Sequence, residues 1–277
     1  MYNLRSESEI IASWHGDVNQ PIVSVICTAY NHEMYIEDAI VGFLLQETSF
    51  PFEVIIHDDA SLDNTAVIIA EYSDKYPNII KPILQEENQF SRLGMQMTID
   101  LLNNCSGKYV AICEGDDYWV SSNKLQTQYD LMESDKAASI CIHNALRKNL
   151  YTGEENRFNN KVIPRNLSSF DVVGRGWFSP TASFFFRKFH IPEIPLHLNG
   201  DLYILFECSR RGGIRYLDEL YSVYRYGSEG SLSMSSSRSA LYKKKNRFLL
   251  YAAKRNLNVS LIAFVILLKN FVAMAVK

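Results

Sequence analysis

IVSVICTAYNHEMYIEDAIVGFLLQE, residues 22–47, changes its hydrophobic period halfway along. The first part, behind Pro21, is a short β-branched run of the kind expected for a buried strand. From Tyr35 to Glu47 the apolar residues fall at Ile36, Ala39, Ile40, Phe43 and Leu44, one face of a helix. Strand then helix opens an α/β unit, and the pattern repeats outward. FEVIIHDDA reads as a second strand, with Ser61 or Asp63 capping a helix through Asn64 to Tyr76. A strand at IIKPIL, a helix from Met97 to Asn104 ended by Gly107, and a strong strand at KYVAIC follow. The order βαβαβαβ predicts a Rossmann-like, mostly parallel central sheet with helices on both faces.

Beyond this, Ser122 or Asn123 caps a helix that buries Leu125, Tyr129 and Met132, and SICIHNAL and TASFFFRK read as strands. Tyr151 to Ser169 is a polar connection, and a helix from Asp201 to Arg210 stops at Gly212-Gly213. The expected organisation is a leader (1–20), a regular half (21–135), a less regular half of the same domain (136–230) and a basic, partly helical C-terminal extension (231–277). Ser231 to Ser239, rich in serine, reads as a mobile loop.

With 277 residues, 47% hydrophobic and 12% aromatic, the chain can bury a full core and is too mixed to be disordered or fibrous. Five cysteines (Cys27, Cys105, Cys113, Cys141 and Cys208), with no CxxC pair and no His at zinc spacing, predict a reduced, cytoplasmic protein. The first twenty residues carry charges where a signal peptide needs an apolar core. The net charge of −3 conceals an asymmetry: residues 231–277 hold nine Lys or Arg and no acid, while the first 230 hold 19 basic and 31 acidic side chains. The apolar run Leu261 to Leu268 near the end is far short of the roughly 20 residues needed to span a bilayer.

In an open parallel α/β sheet, ligands gather beyond the carboxyl ends of the strands. The polar clusters fall there: Thr28-Ala29-Tyr30-Asn31 after strand one, His57-Asp58-Asp59-Ala60-Ser61 after strand two, and Glu114-Gly115-Asp116-Asp117 after KYVAIC. Singly, an acidic pair reads as a cap or a solvated turn. Adjacent carboxylates at one sheet edge repel unless a cation compensates. A hard divalent ion, Mg²⁺ or Mn²⁺, held by one or two carboxylates plus substrate phosphates, is the fitting compensation. Gly115 between two acids lets the backbone approach and turn. Neither a Walker lysine pattern nor a GxGxxG follows the first strand, so a diphosphate would need the metal instead.

Through VSVICTAYNHEMYIEDAI, FEVIIHDDASLDNT and GKYVAICEGDDYW the chain resembles the family-two glycosyltransferases of the GT-A fold, over roughly Pro21 to Asp135. The resemblance implies an inverting, nucleotide-sugar-dependent enzyme. It implies that Thr28, Ala29 and Tyr30 after strand one, with Asp58 after strand two, hold the nucleotide. The family's DxD signature is represented by Glu114-Gly115-Asp116, with Glu in place of the first acid. By resemblance Asp116 is the ligand of Mn²⁺ or Mg²⁺, Glu114 lies near the ribose or the metal's water shell, and Asp117 supports both. The family's catalytic base, an acid at the start of a helix in the second half, corresponds to Asp201 in HLNGDLYILFECSRRGG, which is preceded by Gly200 rather than Glu. The other reading of Asp201 is a helix N-cap, while Glu207 lies inside the helix. Arg225 in Tyr224-Arg225-Tyr226-Gly227 corresponds to a basic residue that steadies the diphosphate, or forms a surface ion pair. His32, His57, Arg92, Trp177 and Phe178 lie beside these motifs and carry structural readings as well as functional ones.

The expected activity is transfer of a hexosyl or N-acetylhexosaminyl unit from a UDP-sugar to a hydroxyl of a glycan or lipid-linked acceptor in bacterial surface polysaccharide synthesis. A sugar nucleotidyltransferase and a non-catalytic nucleotide-sugar binder are the alternatives. Lys243-Lys244-Lys245, Arg247, Lys254 and Arg255 before the apolar end suit the anionic inner face of the cytoplasmic membrane, or a helix packed on the domain or on a second subunit of a homo-oligomer. No nucleic-acid partner is expected.

Overall fold

The computed structural model describes residues 4–195, 198–227 and 238–275. Among these, one ten-stranded sheet carries the molecule. Its main path runs β3 (Ile80–Leu84), β2 (Phe52–Asp58), β1 (Val23–Ala29), β4 (Tyr109–Ile112), β9 (Phe185–Arg187), β6 (Ala138–Asn149), β10 (Gly213–Tyr226), β5 (Tyr118–Trp119). The long pairings are parallel: β1 with β2 from Val23↔Phe52 to Ala29↔Asp58, β2 with β3, β1 with β4, and β6 with β10. The antiparallel pairings involve short strands: β9 between β4 and β6, β5 on β10, β7 (Glu155–Arg157) on β6 and β8 (Asn166–Leu167) on β10. The α/β sheet expected from the sequence is present, and β9 joins β4 to β6 within it.

The buried β-branched run of β1 explains its central place, since a strand covered on both faces has no polar side to alternate. Pro82 lies in β3 at the end of the sheet path, where a missing N–H does no harm. The helices α2 (Ile36–Leu44), α3 (Thr65–Lys75), α5 (Gln96–Asn104) and α6 (Lys124–Ser134) fall within a few residues of the expected spans, and a single-turn α4 (Phe90–Leu93) precedes α5. One core, on the α2 and α3 side of the sheet, includes Ile36, Phe43, Ile56 and Trp119. The other includes Ile26, Ile99, Phe184, Tyr203 and Phe206.

Several expectations are corrected. α5 ends at Asn104, followed by extended Cys105, and Gly107 does not cap it. Gly107 is instead the place where a Cβ would meet the Ser24 nitrogen at 2.5 Å, beside β1. TASFFFRK is not one strand: Thr181–Ser183 form a 3-10 turn before β9. The polar connection from Tyr151 contains β7 and β8. In the leader, α1 (Glu7–Ile11) starts with a Ser6–Glu9 capping box and buries Ile10, while Trp14 packs edge-on against Phe52 at 5.2 Å. All five cysteines are buried free thiols.

The C-terminal extension forms α9 (Arg238–Arg255) and α10 (Ser260–Ala275), after α7 (Ser169–Arg175) and α8 (Gly200–Ser209). Most of the serine stretch read as mobile lies outside the described residues. Buried Glu207 on α8 ties the extension down: Arg210, Arg211 and the Tyr251 hydroxyl of α9 all donate to it. Among the described residues no helix is long and apolar enough to cross a membrane.

Gly42 of α2 lies against the backbone of β5, where an added Cβ would come within 2.7 Å of the Trp119 carbonyl oxygen. Gly42→Ala is therefore expected to destabilise the fold by about 1–3 kcal/mol in chemical denaturation, as overpacking against backbone does. An unchanged unfolding midpoint would contradict the contact.

Candidate active site

The loops after β1 and β2 are braced against each other. Asn31 (φ +56°) donates its N–H to Ser61 Oγ at 2.8 Å, and its Oδ1 accepts from the Leu62 N–H at 2.8 Å. Ser61 in turn donates to Asp58 through both its N–H (3.0 Å) and its hydroxyl (2.5 Å). The Asp59 N–H donates to the Ala29 carbonyl at 2.9 Å, and its carboxylate accepts from the N–H groups of Gln89 and Phe90. Between them Ala60 is held at φ +62°, a conformation a non-glycine residue adopts only under such constraint. Asp63, one of the two expected caps, accepts from the Thr65 N–H and hydroxyl; Ser61, the other, is engaged by Asp58.

Thr28, Ala29 and Tyr30 reach the same edge, with Tyr30 43% exposed. Asp58 is buried, and both of its oxygens accept from Ser61. His57 is buried beside them, contacts Gln85 at 3.2 Å and is held neutral by its burial. Arg92 is exposed and bonded to Gln89.

After β4 the chain continues alongside β1. The Cys113 N–H donates to the Ile26 carbonyl and the Gly115 N–H to the Thr28 carbonyl at 2.9 Å, so the acidic run starts as an extension of the ladder. A Cβ on Gly115 would lie 2.9 Å from both His32 Nδ1 and Ile36 Cδ1, so a larger residue would have to displace those side chains. The Asp117 N–H then turns back to the Glu114 carbonyl at 3.0 Å. Asp117 is buried: Oδ1 accepts from the Arg225 N–H at 2.8 Å, while Oδ2 has no partner.

Asp201 arrives from the other side of the site, in the first turn of α8. Asn199 caps that helix, accepting from the Asp201 N–H at 3.3 Å, which leaves the Asp201 carboxylate facing inward rather than serving as the cap. The Thr181 side chain lowers the hold of the Asp201 carboxyl on its proton, and Asp201 and Glu114 feel each other's charge. Burial, then the charges of Asp201 and Asp116, raise Glu114 well above the usual carboxylate range. Burial, then Asp116 and Glu114, do the same to Asp117, with Arg225 pulling the other way. Burial also raises Asp201. A cation at this edge would offset the crowding.

The four acids Glu114, Asp116, Asp117 and Asp201 are thus brought together, as the sequence predicts. Among the described residues no group of three or more His, Cys, Asp or Glu side chains is arranged to hold a metal unaided. Hard oxygen donors, a buried carboxylate oxygen without a partner and the close-packed turn at Gly115 fit a divalent ion held by one or two carboxylates and completed by ligand oxygens.

Arg225 is not open to the site as expected. Its guanidinium donates to the Asp116 carbonyl at 3.0 Å and pairs with Asp38 on α2, between the rings of Tyr118 and Tyr35. Sequence reasoning missed Asp38, Tyr35, Tyr118 and Thr181. An acid in a first helical turn reads as a dipole partner, and Thr181 was hidden in a stretch read as strand. Phe178 is core, whereas Trp177 is 40% exposed and packs with Phe158 and Tyr224.

A carboxyl raised on folding makes the folded state bind more protons than the unfolded one, so its contribution to stability falls as pH rises above about 4. In chelator, Glu114→Gln and Asp201→Asn should raise the thermal midpoint relative to wild type, and by more at about pH 8 than at about pH 5. Equal effects at both pH values would contradict the crowding.

The chain matches the Glycosyl transferase family 2 profile over residues 24–190. It is 33% identical over 210 residues to an uncharacterized Mycobacterium tuberculosis protein, covering 75% of this chain and 60% of that relative's length. It is 30% identical over 111 residues, 40% of this chain and 41% of the relative, to the Escherichia coli UDP-Glc:alpha-D-GlcNAc-diphosphoundecaprenol beta-1,3-glucosyltransferase WfgD. Among solved structures, the Pyrobaculum calidifontis mannosyltransferase PcManGT in complex with GDP-Man and Mn²⁺ superposes with a TM-score of 0.59 at 15% identity, over 90% of this chain and 70% of that one, a likeness of GT-A fold. The matched profile spans the three strand ends and the acidic corner built from them, and the chain belongs to glycosyl transferase family 2.

Proposed function

We propose that this chain transfers a hexosyl or N-acetylhexosaminyl unit from a UDP-sugar to a hydroxyl of a glycan or lipid-linked acceptor, with inversion, in bacterial surface polysaccharide synthesis. The observation that carries the reading is the convergence of the acidic corner after β4 with Asp201 at the head of α8. Residues 21–135 would form the donor half and 136–230 the acceptor half. WfgD, named for a UDP-Glc donor and a diphosphoundecaprenol-linked acceptor, and PcManGT, solved with Mn²⁺, support the donor, the acceptor class and the divalent ion.

In this account Thr28, Ala29, Tyr30 and Asp58 border the nucleotide, and Glu114 to Asp117 border the diphosphate. Asp116, with the unpartnered oxygen of Asp117 behind it, would hold Mn²⁺ or Mg²⁺. The bound ion supplies positive charge that offsets the leaving diphosphate. Asp201, whose N–H is held by the Asn199 cap and whose buried carboxyl holds a proton more tightly than an exposed one, accepts the acceptor hydroxyl's proton as that oxygen attacks the anomeric carbon. The carbon–oxygen bond to the nucleoside diphosphate breaks on the opposite face, through an oxocarbenium-like transition state.

The extension supplies a place for a lipid-linked acceptor. Leu261, Phe264, Val265 and Leu268 of α10 fall at helical spacing and are exposed, Leu261 by 76%. Lys243, Lys244, Lys245, Arg247 and Lys254 of α9 are also exposed. Apolar side chains beside cations suit an anionic surface such as the inner face of the cytoplasmic membrane.

Asp116→Asn and Asp201→Asn should each lower transfer by at least roughly 10²-fold with the fold intact, Asp201→Asn without loss of donor binding. Near-normal turnover in either would refute that residue's role. Without acceptor, slow release of nucleoside diphosphate from a donor is expected; release of pyrophosphate would mark a sugar nucleotidyltransferase, and binding without either a non-catalytic binder. In flotation with phosphatidylglycerol vesicles the chain should rise with the lipid at low salt, and Leu261→Ser with Phe264→Ser should leave it at the bottom. Equal flotation would contradict the membrane face.

A further inference from the structure

Arg225 joins three segments that are distant in sequence. Its main-chain N–H donates to Asp117 Oδ1 at 2.8 Å, its Nη1 donates to the Asp116 carbonyl at 3.0 Å, and its Nη2 pairs with Asp38 in the first turn of α2. The guanidinium carbon lies 4.2 Å from the ring centroid of Tyr118 and 5.2 Å from that of Tyr35. The residue is only 9% exposed. A guanidinium so placed holds the peptide that carries Asp116, and it has two of its three nitrogens' worth of directed bonding inside the protein. A diphosphate ligand needs those donors turned outward.

Asp38 makes the arrangement hold. A buried cation is costly unless an anion faces it, and Asp38 is the carboxylate that pairs with Arg225 from the helix side. The planar fork of arginine reaches the Asp38 carboxylate and the Asp116 carbonyl at once, which a lysine ammonium at the end of a flexible stem would not do in the same geometry.

We propose that Asp38 and Arg225 are a positioning pair: α2 holds Arg225, and Arg225 holds the backbone of Asp116 and the carboxylate of Asp117, so that the acidic corner is aimed by two residues that do not contact the donor. The proposal rests on the donor-site reading for its functional consequence and on the contacts alone for the pair itself.

Full-length Asp38→Asn, Arg225→Lys and the double variant separate positioning from direct diphosphate contact. Amide hydrogen exchange over residues 114–119 of the metal-free protein should speed up by on the order of tenfold in either single variant and no further in the double, with β2 amides unchanged. Mn²⁺-dependent UDP binding should weaken by roughly tenfold or more in both, since small misplacements of a site cost that much. Asp38→Glu, which keeps the charge, should restore part of both. If Asp38→Asn leaves exchange and UDP binding at wild-type levels while Arg225→Lys alone weakens binding, Arg225 is a diphosphate ligand and the proposal fails. If β2 amides also speed up, the variants loosen the whole fold and the pair has no specific positioning role. If wild type binds neither UDP nor GDP with Mn²⁺, the donor-site reading fails, and the exchange result alone decides the pair.

Discussion

Crowding of like charge at one edge of the sheet is the constraint around which the molecule is arranged. Glu114, Asp116, Asp117 and Asp201 come from two separated stretches of chain and meet at this edge, where burial raises the hold of Glu114, Asp117 and Asp201 on their protons. Such a group would spread apart if its backbone could move. It cannot: the acidic run begins as a continuation of the β4 ladder on β1, passes through a glycine packed against His32 and Ile36, and is held from behind by Arg225. Stored repulsion of this kind is released by a cation and its anionic ligand, so the rigidity of the sheet edge becomes binding energy for a charged donor.

The remaining parts serve that edge. Parallel strands β1, β2 and β4 deliver their carboxyl ends to one place, and the loops beyond the first two are locked by the Asn31–Ser61–Asp58 bonds. The antiparallel β9 turns the parallel half into a single sheet with β6 and β10, and the 3-10 turn just before it brings Thr181 to Asp201. Helix α8 carries Asp201 at its head and Glu207 in its middle, and Glu207 binds Tyr251 of α9. Asp201, the proposed base, and the anchor of the basic extension are therefore on one rigid element.

Much of this was legible in the sequence, for physical reasons. Buried parallel strands need uninterrupted β-branched runs, so β1, β2 and β4 announce themselves, and residues just beyond such strands share one sheet edge, which put Tyr30, Asp58 and the acidic run together. Asp201 was singled out by the family resemblance alone, since its place in a helix head reads equally as a cap; the cap is Asn199. What was not legible depends on contacts distant in sequence. β5, β7 and β8 are two or three residues long and exist only through pairing with β10 and β6. Gly107 looks like a helix stop until the β1 backbone is placed against it. The ion pair between Asp38 and Arg225 spans 187 residues, and nothing local distinguishes either from a surface charge.

The most direct measurement of the central claim is a crystal structure of the protein grown with Mn²⁺ and UDP, with manganese located by its anomalous signal. The account predicts manganese against the Asp116 carboxylate and the diphosphate oxygens, Asp201 facing the vacant acceptor side, and Arg225 still on Asp38. Manganese and UDP bound away from the acidic corner, or no manganese there at saturating concentration, would contradict it.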